Sequence, residues 1–299
     1  MGPGYDGSLF ILAFDHRGSF KSKMFGISNE TDDDRRRLQA AKRLVWQGFL
    51  AAADIGLPEG AGILVDEEMG APVAREAKER GVILSMPVEM SGQDVFDFEY
   101  GDDFDTHIEA FGPDFSKVLV RWNPDDPAET RDLQGERLAR LGRWLASTGR
   151  RFLFELLVPA SAGQLAAVGG DQGRYDTEIR PGLMLETIAD IRERGIEPDV
   201  WKIEGIDDQD DCRRVAELIT ADGRDRVMAV VLGRGADDQR VEHWLRAGAP
   251  VPGYAGFAIG RSIWWDAVAA WRDGEASESE AAETIASQYL RFITVYLQA

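Results

Sequence analysis

The chain has 299 residues with 53 Asp and Glu against 34 Lys and Arg, a formal net charge of −19 and 44% hydrophobic residues. That length suits one large α/β domain, and the hydrophobic share supports a sizeable buried core. The acidic balance, with no basic tail, argues against a nucleic-acid partner, because phosphate backbones are held by clustered Lys and Arg. An anionic small molecule would instead need a locally basic pocket. The one cysteine, Cys212, excludes an intrachain disulfide and a cysteine-based structural zinc.

The opening MGPGYDGSLFILAFDHRG has no basic region before its apolar run and no small-residue cleavage site after it, so it is not read as a signal peptide. Residues 1–7 read as a flexible lead-in. No run approaches the roughly 18 apolar residues of a membrane span, so no membrane partner is expected, and the lone cysteine fits a cytoplasmic protein.

Short apolar runs then alternate with longer amphipathic segments. The strand candidates are 9–15, 62–66, 82–88, 117–122, 151–158, 200–205, 227–233 and 256–260. They are short and apolar, as strands buried on both faces should be. Helical patterns lie between them at 33–56, 129–149, 180–195 and 237–248, several ending in Gly or starting after Asp. Residues 160–181 form the longest irregular stretch, placed after the fifth strand where a loop can cover a substrate. A final helix within 275–299 can pack on the domain or serve a contact in a homo-oligomer. Eight strand–helix units in one domain over 1–299, with no GxGxxG after the first strand and no Walker pattern, predict a (β/α)8 TIM barrel.

The informative residues are charges inside or at the ends of these strands, since a lone buried charge costs several kcal/mol and is usually paired or functional. They are Asp15, Asp66, Lys117, Arg121, Glu155, Lys202, Glu204 and, past the last strand, Arg261. Alternation puts Lys117 and Arg121 on one face and Lys202 and Glu204 on one face. If these faces point inward, strands one, two, four, five and six send charge to a common centre. A lysine in such a pocket can act as a free amine and condense with a ketone, whereas the plain structural alternative is an ion pair of Lys202 with Glu155 or Glu204. Lys117 is open to the same two readings. Asp15 and Glu155 can move protons or simply neutralise the lysines.

Near the C-terminus, LGRGADD and AIGRSIW put Gly233, Arg234, Gly235 and Gly260 at the tips of strands seven and eight, where barrels often bind phosphate, with Arg261 adding charge. Tight turns alone would also need such glycines. The histidines are His16, His107 and His243, with no HExxH spacing, so no zinc site is expected. His16 ends a strand as a candidate site residue, and His243 reads as a helix-surface residue. Asp15 and Asp66 are two separate carboxylates, a weak signal for magnesium. No metal and no cofactor are expected.

The motifs LAFDHRGS, ILVDEEMG, SKVLVRWNPDD, FLFELLVP, DVWKIEG and AIGRSIW, in this order over nearly the whole chain, resemble the strand ends of the tagatose-1,6-bisphosphate aldolase family of class I barrel aldolases. LFILAFDHRGSF and EPDVWKIEGID are more similar still to the aldolase-like domain fused to bacterial 5-dehydro-2-deoxygluconokinase in inositol catabolism. The resemblance implies that Lys202 is a Schiff-base lysine, that Asp15, Lys117 and Glu155 line the active site, and that Arg261, Gly233 and Gly260 bind phosphate. It implies a sugar-phosphate substrate, 2-deoxy-5-keto-gluconate 6-phosphate, cleaved to dihydroxyacetone phosphate and malonate semialdehyde; the residues themselves offer Arg121 or Arg17 for its carboxylate, a group that the tagatose substrate lacks. His16 stands where the tagatose enzymes have Gln, and LGRGADD replaces their Ser-Ala-Gly turn, so the alternatives are another ketose phosphate, such as tagatose 1,6-bisphosphate or a sulfosugar phosphate. A barrel that binds sugar phosphate without turning it over, or that supports a kinase, is the reading from a different class.

Overall fold

The computed structural model describes residues 2–299. Strands β1 (Leu9–Ala13), β2 (Ala61–Leu64), β3 (Ile83–Pro87), β4 (Phe115–Arg121), β5 (Arg151–Leu157), β6 (Val200–Glu204), β7 (Met228–Leu232) and β8 (Tyr254–Ile259) pair in parallel in sequence order, and β8 closes on β1. The architecture is the α/β, (β/α)8 TIM barrel. Around it run α1 (Asp32–Ile55), α2 (Glu67–Glu79), α3 (Phe104–Phe111), α4 (Ala128–Ser147), α5 (Ala162–Ala167), α6 (Gln172–Arg174), α7 (Arg180–Glu193), α8 (Gln209–Thr220), α9 (Asp238–Gly248), α10 (Arg261–Arg272) and α11 (Glu278–Leu297).

Local chemistry sets where these helices start. Thr31 and Asp34 form a reciprocal capping box on α1, Ser277 and Glu280 do the same on α11, and Asp66, Asp208 and Asp237 cap α2, α8 and α9. Each cap satisfies backbone N–H groups that the first turn leaves unpaired.

Alternation along the strands makes two cores. Outward residues such as Phe10, Leu12, Phe154 and Trp201 meet the helices, whereas Leu9, Ile11, Ala13, Leu64, Phe115, Leu153, Val200, Met228, Val230 and Ala258 fill the barrel axis. The inner cluster occupies the lower part of the strands, and polar side chains follow above it toward their C-terminal ends.

Three expectations change. The lead-in is fastened beneath the barrel: Tyr5 N–H donates to the Arg226 carbonyl at 2.9 Å, Gly4 N–H to Asp199 at 2.6 Å, and the Tyr5 ring meets Phe115 edge-on at 5.2 Å. Residues 160–181 are mostly helical, with a Ser161–Gln164 capping box on α5, α6, and a π-helical turn at Tyr175–Ile179 leading into α7. The long irregular segment lies instead at 88–100, folded back on itself through a Glu89–Phe98 bridge. The final helix packs against α1, and the Tyr289 hydroxyl donates to the Phe10 carbonyl. No helix among the described residues is long and apolar enough to cross a membrane.

Candidate active site

The strand parity that buries Leu9, Ile11 and Ala13 carries on to Asp15, and the same holds for Lys117, Leu119 and Arg121 on β4, Glu155 and Leu157 on β5, and Lys202 and Glu204 on β6. These side chains line one cavity of about 440 Å³ at the C-terminal ends of the strands. This is the face where barrel enzymes build their active sites.

A chain of charges crosses its floor. Lys117 Nζ lies 2.8 Å from Asp15 Oδ2, 2.7 Å from Glu89 Oε1 and 3.0 Å from Glu155 Oε2. Lys202 Nζ lies 3.0 Å from the same Glu155 oxygen. Lys117 and Lys202 are only 1% and 2% exposed, so the carboxylates stand where water would otherwise meet both nitrogens. Of the two pairings left open from sequence, Glu155 or Glu204, Lys202 makes the one with Glu155, and it has one carboxylate where Lys117 has three.

The surroundings sort these groups by protonation. Burial works against the charge of Lys117, but Asp15, Glu155 and Glu89 outweigh it and raise the pKa well above the ordinary lysine value. Burial likewise opposes the charge on Asp15 and Glu155, yet the lysines prevail and hold both below the usual carboxylate range. For Glu89 and Glu204 burial wins, and their pKa values rise. His16 is pushed down to about 3, mainly by burial, with Lys42, Arg261 and Lys202 adding to the effect and Asp15 opposing it. Its ring is neutral at physiological pH, lying edge-on to Trp264 at 5.4 Å with Nδ1 3.9 Å from Asp15 Oδ1.

Arg17, Arg121, Arg234 and Arg261 also reach the cavity. Arg17 is bound to Glu99 at 2.7 Å and to the Glu89 carbonyl at 2.7 Å. Arg234 pairs with Asp176 at 2.9 Å and Glu204 at 3.0 Å, and its own backbone is left-handed, φ +52°. Its carbonyl accepts from Arg261 at 2.7 Å. Gly235, at φ +72°, sits under the Arg261 guanidinium so closely that a Cβ there would come within 2.7 Å of the Arg261 Cζ carbon. Gly260 caps α10 where a Cβ would meet the Ala13 carbonyl at 2.3 Å, so β1 and β8 can close only over glycine.

Two predicted site residues stand elsewhere. Asp66 continues the inward parity of β2, but the strand ends at Leu64 and the chain turns into α2. Its carboxylate accepts the Met69 N–H at 2.8 Å and pairs with the buried Lys42 at 2.6 Å, so it holds structure rather than substrate. Asp15 and Asp66 are each committed to a different lysine, which removes the magnesium pairing considered from sequence. Lys42 also donates to the carbonyls of Phe14 and His16, pinning the turn that carries Asp15, His16 and Arg17. Gly233 lies outside the cavity lining and faces Ile259 and Val241. Conversely, Glu89 was missed. Ile83, Ser85, Pro87 and Glu89 share one strand face, and extending the predicted third strand, 82–88, by one residue would have found it.

A family model described as "Uncharacterized protein conserved in bacteria (DUF2090)" matches residues 5–299. The chain belongs to that family. Separately, it is similar to curated proteins named tagatose 1,6-diphosphate aldolase from Listeria monocytogenes and Listeria innocua, each 26% identical over 204 residues. The match takes in 66% of this chain, and the chain spans 56% of the length of those relatives. A solved structure, Cgl0159 from Corynebacterium glutamicum, shares the fold with a TM-score of 0.58 at 18% identity, covering 97% of this chain and 88% of that one.

Proposed function

We propose that the protein is a class I aldolase that cleaves a phosphorylated keto-sugar acid, 2-deoxy-5-keto-gluconate 6-phosphate being the favoured substrate. The observation that carries this reading is a buried lysine, Lys202, on the floor of an open cavity and sharing one carboxylate with a second lysine. The similarity to proteins named as aldolases supports the same reaction class.

In this reading Lys202, once deprotonated, adds to the C5 ketone. Loss of the resulting hydroxyl as water leaves an iminium. Glu155, at hydrogen-bond distance from Lys202, handles the protons at nitrogen. A carboxylate, Asp15 or Glu155, then takes the C3 hydroxyl proton, and the C3–C4 bond breaks. Its electron pair moves to the iminium as an enamine, and C3 leaves as the aldehyde of malonate semialdehyde. Protonation of the enamine at C4 and hydrolysis release dihydroxyacetone phosphate and restore the amine. Lys117, ionised throughout, balances the carboxylates while Lys202 loses its charge. Arg261, over Gly235 and beside the N-terminus of α10, holds the phosphate.

The test is borohydride reduction in the presence of dihydroxyacetone phosphate, followed by intact mass and peptide mapping. The expected result is one reduced adduct on Lys202, absent in Lys202→Met. No adduct, under conditions that label a known class I aldolase, overturns the Schiff-base mechanism.

A further inference from the structure

Four arginines line the cavity, and their partners divide them into two kinds. Arg17 and Arg234 are each neutralised by carboxylates, Glu89 with Glu99 and Asp176 with Glu204. Arg121 and Arg261 each donate to one backbone carbonyl, of Gln93 and of Arg234, both at 2.7 Å. Neither has a carboxylate at ion-pair distance among the described residues. They are the two uncompensated guanidinium groups facing the cavity.

Their placement follows from the barrel. Arg121 ends β4 and Arg261 follows β8, four strands apart in a ring of eight and hence on opposite sides of the mouth. Lys202 is on β6, midway between them. A ligand bridging the mouth above Lys202 therefore meets a free cation at each end.

The two ends differ in capacity. Arg261 is backed by the Gly235 turn and the N-terminus of the 12-residue α10, a combination suited to a phosphate dianion. Arg121 stands in register with Leu157 and brings a single positive charge, with the rest of its planar fork free. One such fork matches one carboxylate in charge and shape. Arg17, the other candidate for this role by sequence, is already tied to two carboxylates.

We infer that Arg121 is the specificity-determining residue for a terminal carboxylate at the end of the substrate opposite its phosphate. The inference rests on the aldolase reading only for the orientation of substrate over Lys202.

Calorimetric titration with gluconate 6-phosphate and glucitol 6-phosphate, which differ at C1 in carboxylate against alcohol, tests it without turnover. The intact protein is expected to prefer the gluconate ligand by about 10-fold to 100-fold, the range of a charge-assisted hydrogen bond. Arg121→Met should bring the two ligands within about threefold by weakening only the gluconate compound, and Arg121→Lys should retain part of the preference. Absence of a preference in the intact protein, equal weakening of both ligands in Arg121→Met, or tighter Arg121-dependent binding of glucitol 1,6-bisphosphate would each overturn the assignment. Should Arg121→Met fail to fold, the intact protein and Arg121→Lys still decide it. Borohydride trapping of dihydroxyacetone phosphate involves no carboxylate, so its failure with an intact gluconate preference sinks the aldolase reading alone.

Discussion

Replacing Lys117 with Met keeps much of the side-chain length but removes the one cation that Asp15, Glu89 and Glu155 share at 2.7–3.0 Å. Glu155 keeps Lys202 and Glu89 keeps Arg17, whereas Asp15 loses its hydrogen-bonded lysine. The cheapest relief is protonation of Glu89, whose pKa burial has already raised. From the ordinary value of 4.5, that uptake costs at most about 3.4 kcal/mol at pH 7, at 1.36 kcal/mol per unit. With the bond lost at Asp15, the expected destabilisation is about 3–5 kcal/mol, the range for a broken buried ion pair. That corresponds to a fall in Tm of roughly 6–10 °C. At pH 5 the same proton costs less than about 1 kcal/mol, so the deficit should shrink, by at most about 2.7 kcal/mol for one proton over two pH units. Urea unfolding of both proteins at pH 7 and pH 5 reads these numbers. A deficit below about 1 kcal/mol at pH 7, or one equal at both pH values, refutes the view of Lys117 as the clamp on three carboxylates.

Two further outcomes follow from the same geometry. Asp66→Asn leaves Lys42 buried with carbonyl partners only and should cost about 3–5 kcal/mol in urea unfolding; if Asp66 instead served the ligand, phosphate-ligand affinity would fall while stability held. His16 has a folded pKa of about 3 against an ordinary 6.5, so the unfolded chain takes up the proton first as pH falls. Its stability contribution is therefore complete above pH 6.5 and declines by about 1.4 kcal/mol per pH unit below it. His16→Gln should flatten the stability profile between pH 6.5 and 5 by that slope. Identical profiles would mean that the folded imidazole accepts the proton.

The barrel was legible because buried parallel strands carry short apolar runs, and alternation put Lys117 with Arg121 and Lys202 with Glu204 on faces that do meet in one cavity. The same rule failed at Asp66, where the chain leaves the strand before the parity can act, and overlooked Glu89, where the inward face outlasts the apolar run. Residues 160–181 read as loop because helices of six and three residues are too short to display a period. The lead-in read as flexible because its glycines mask one anchoring ring, Tyr5. Which arginine is already paired and which is free depends on partners such as Glu99, Asp176 and the Gln93 carbonyl, distant in sequence, and no local pattern announces them.

The apolar filling of the barrel axis, closed below by Tyr5, gives the chamber above it a floor without a drain. Whatever enters at the rim must go out by the rim. For the proposed cleavage, both fragments share that one exit, and the piece held on Lys202 can use it only after hydrolysis has freed it.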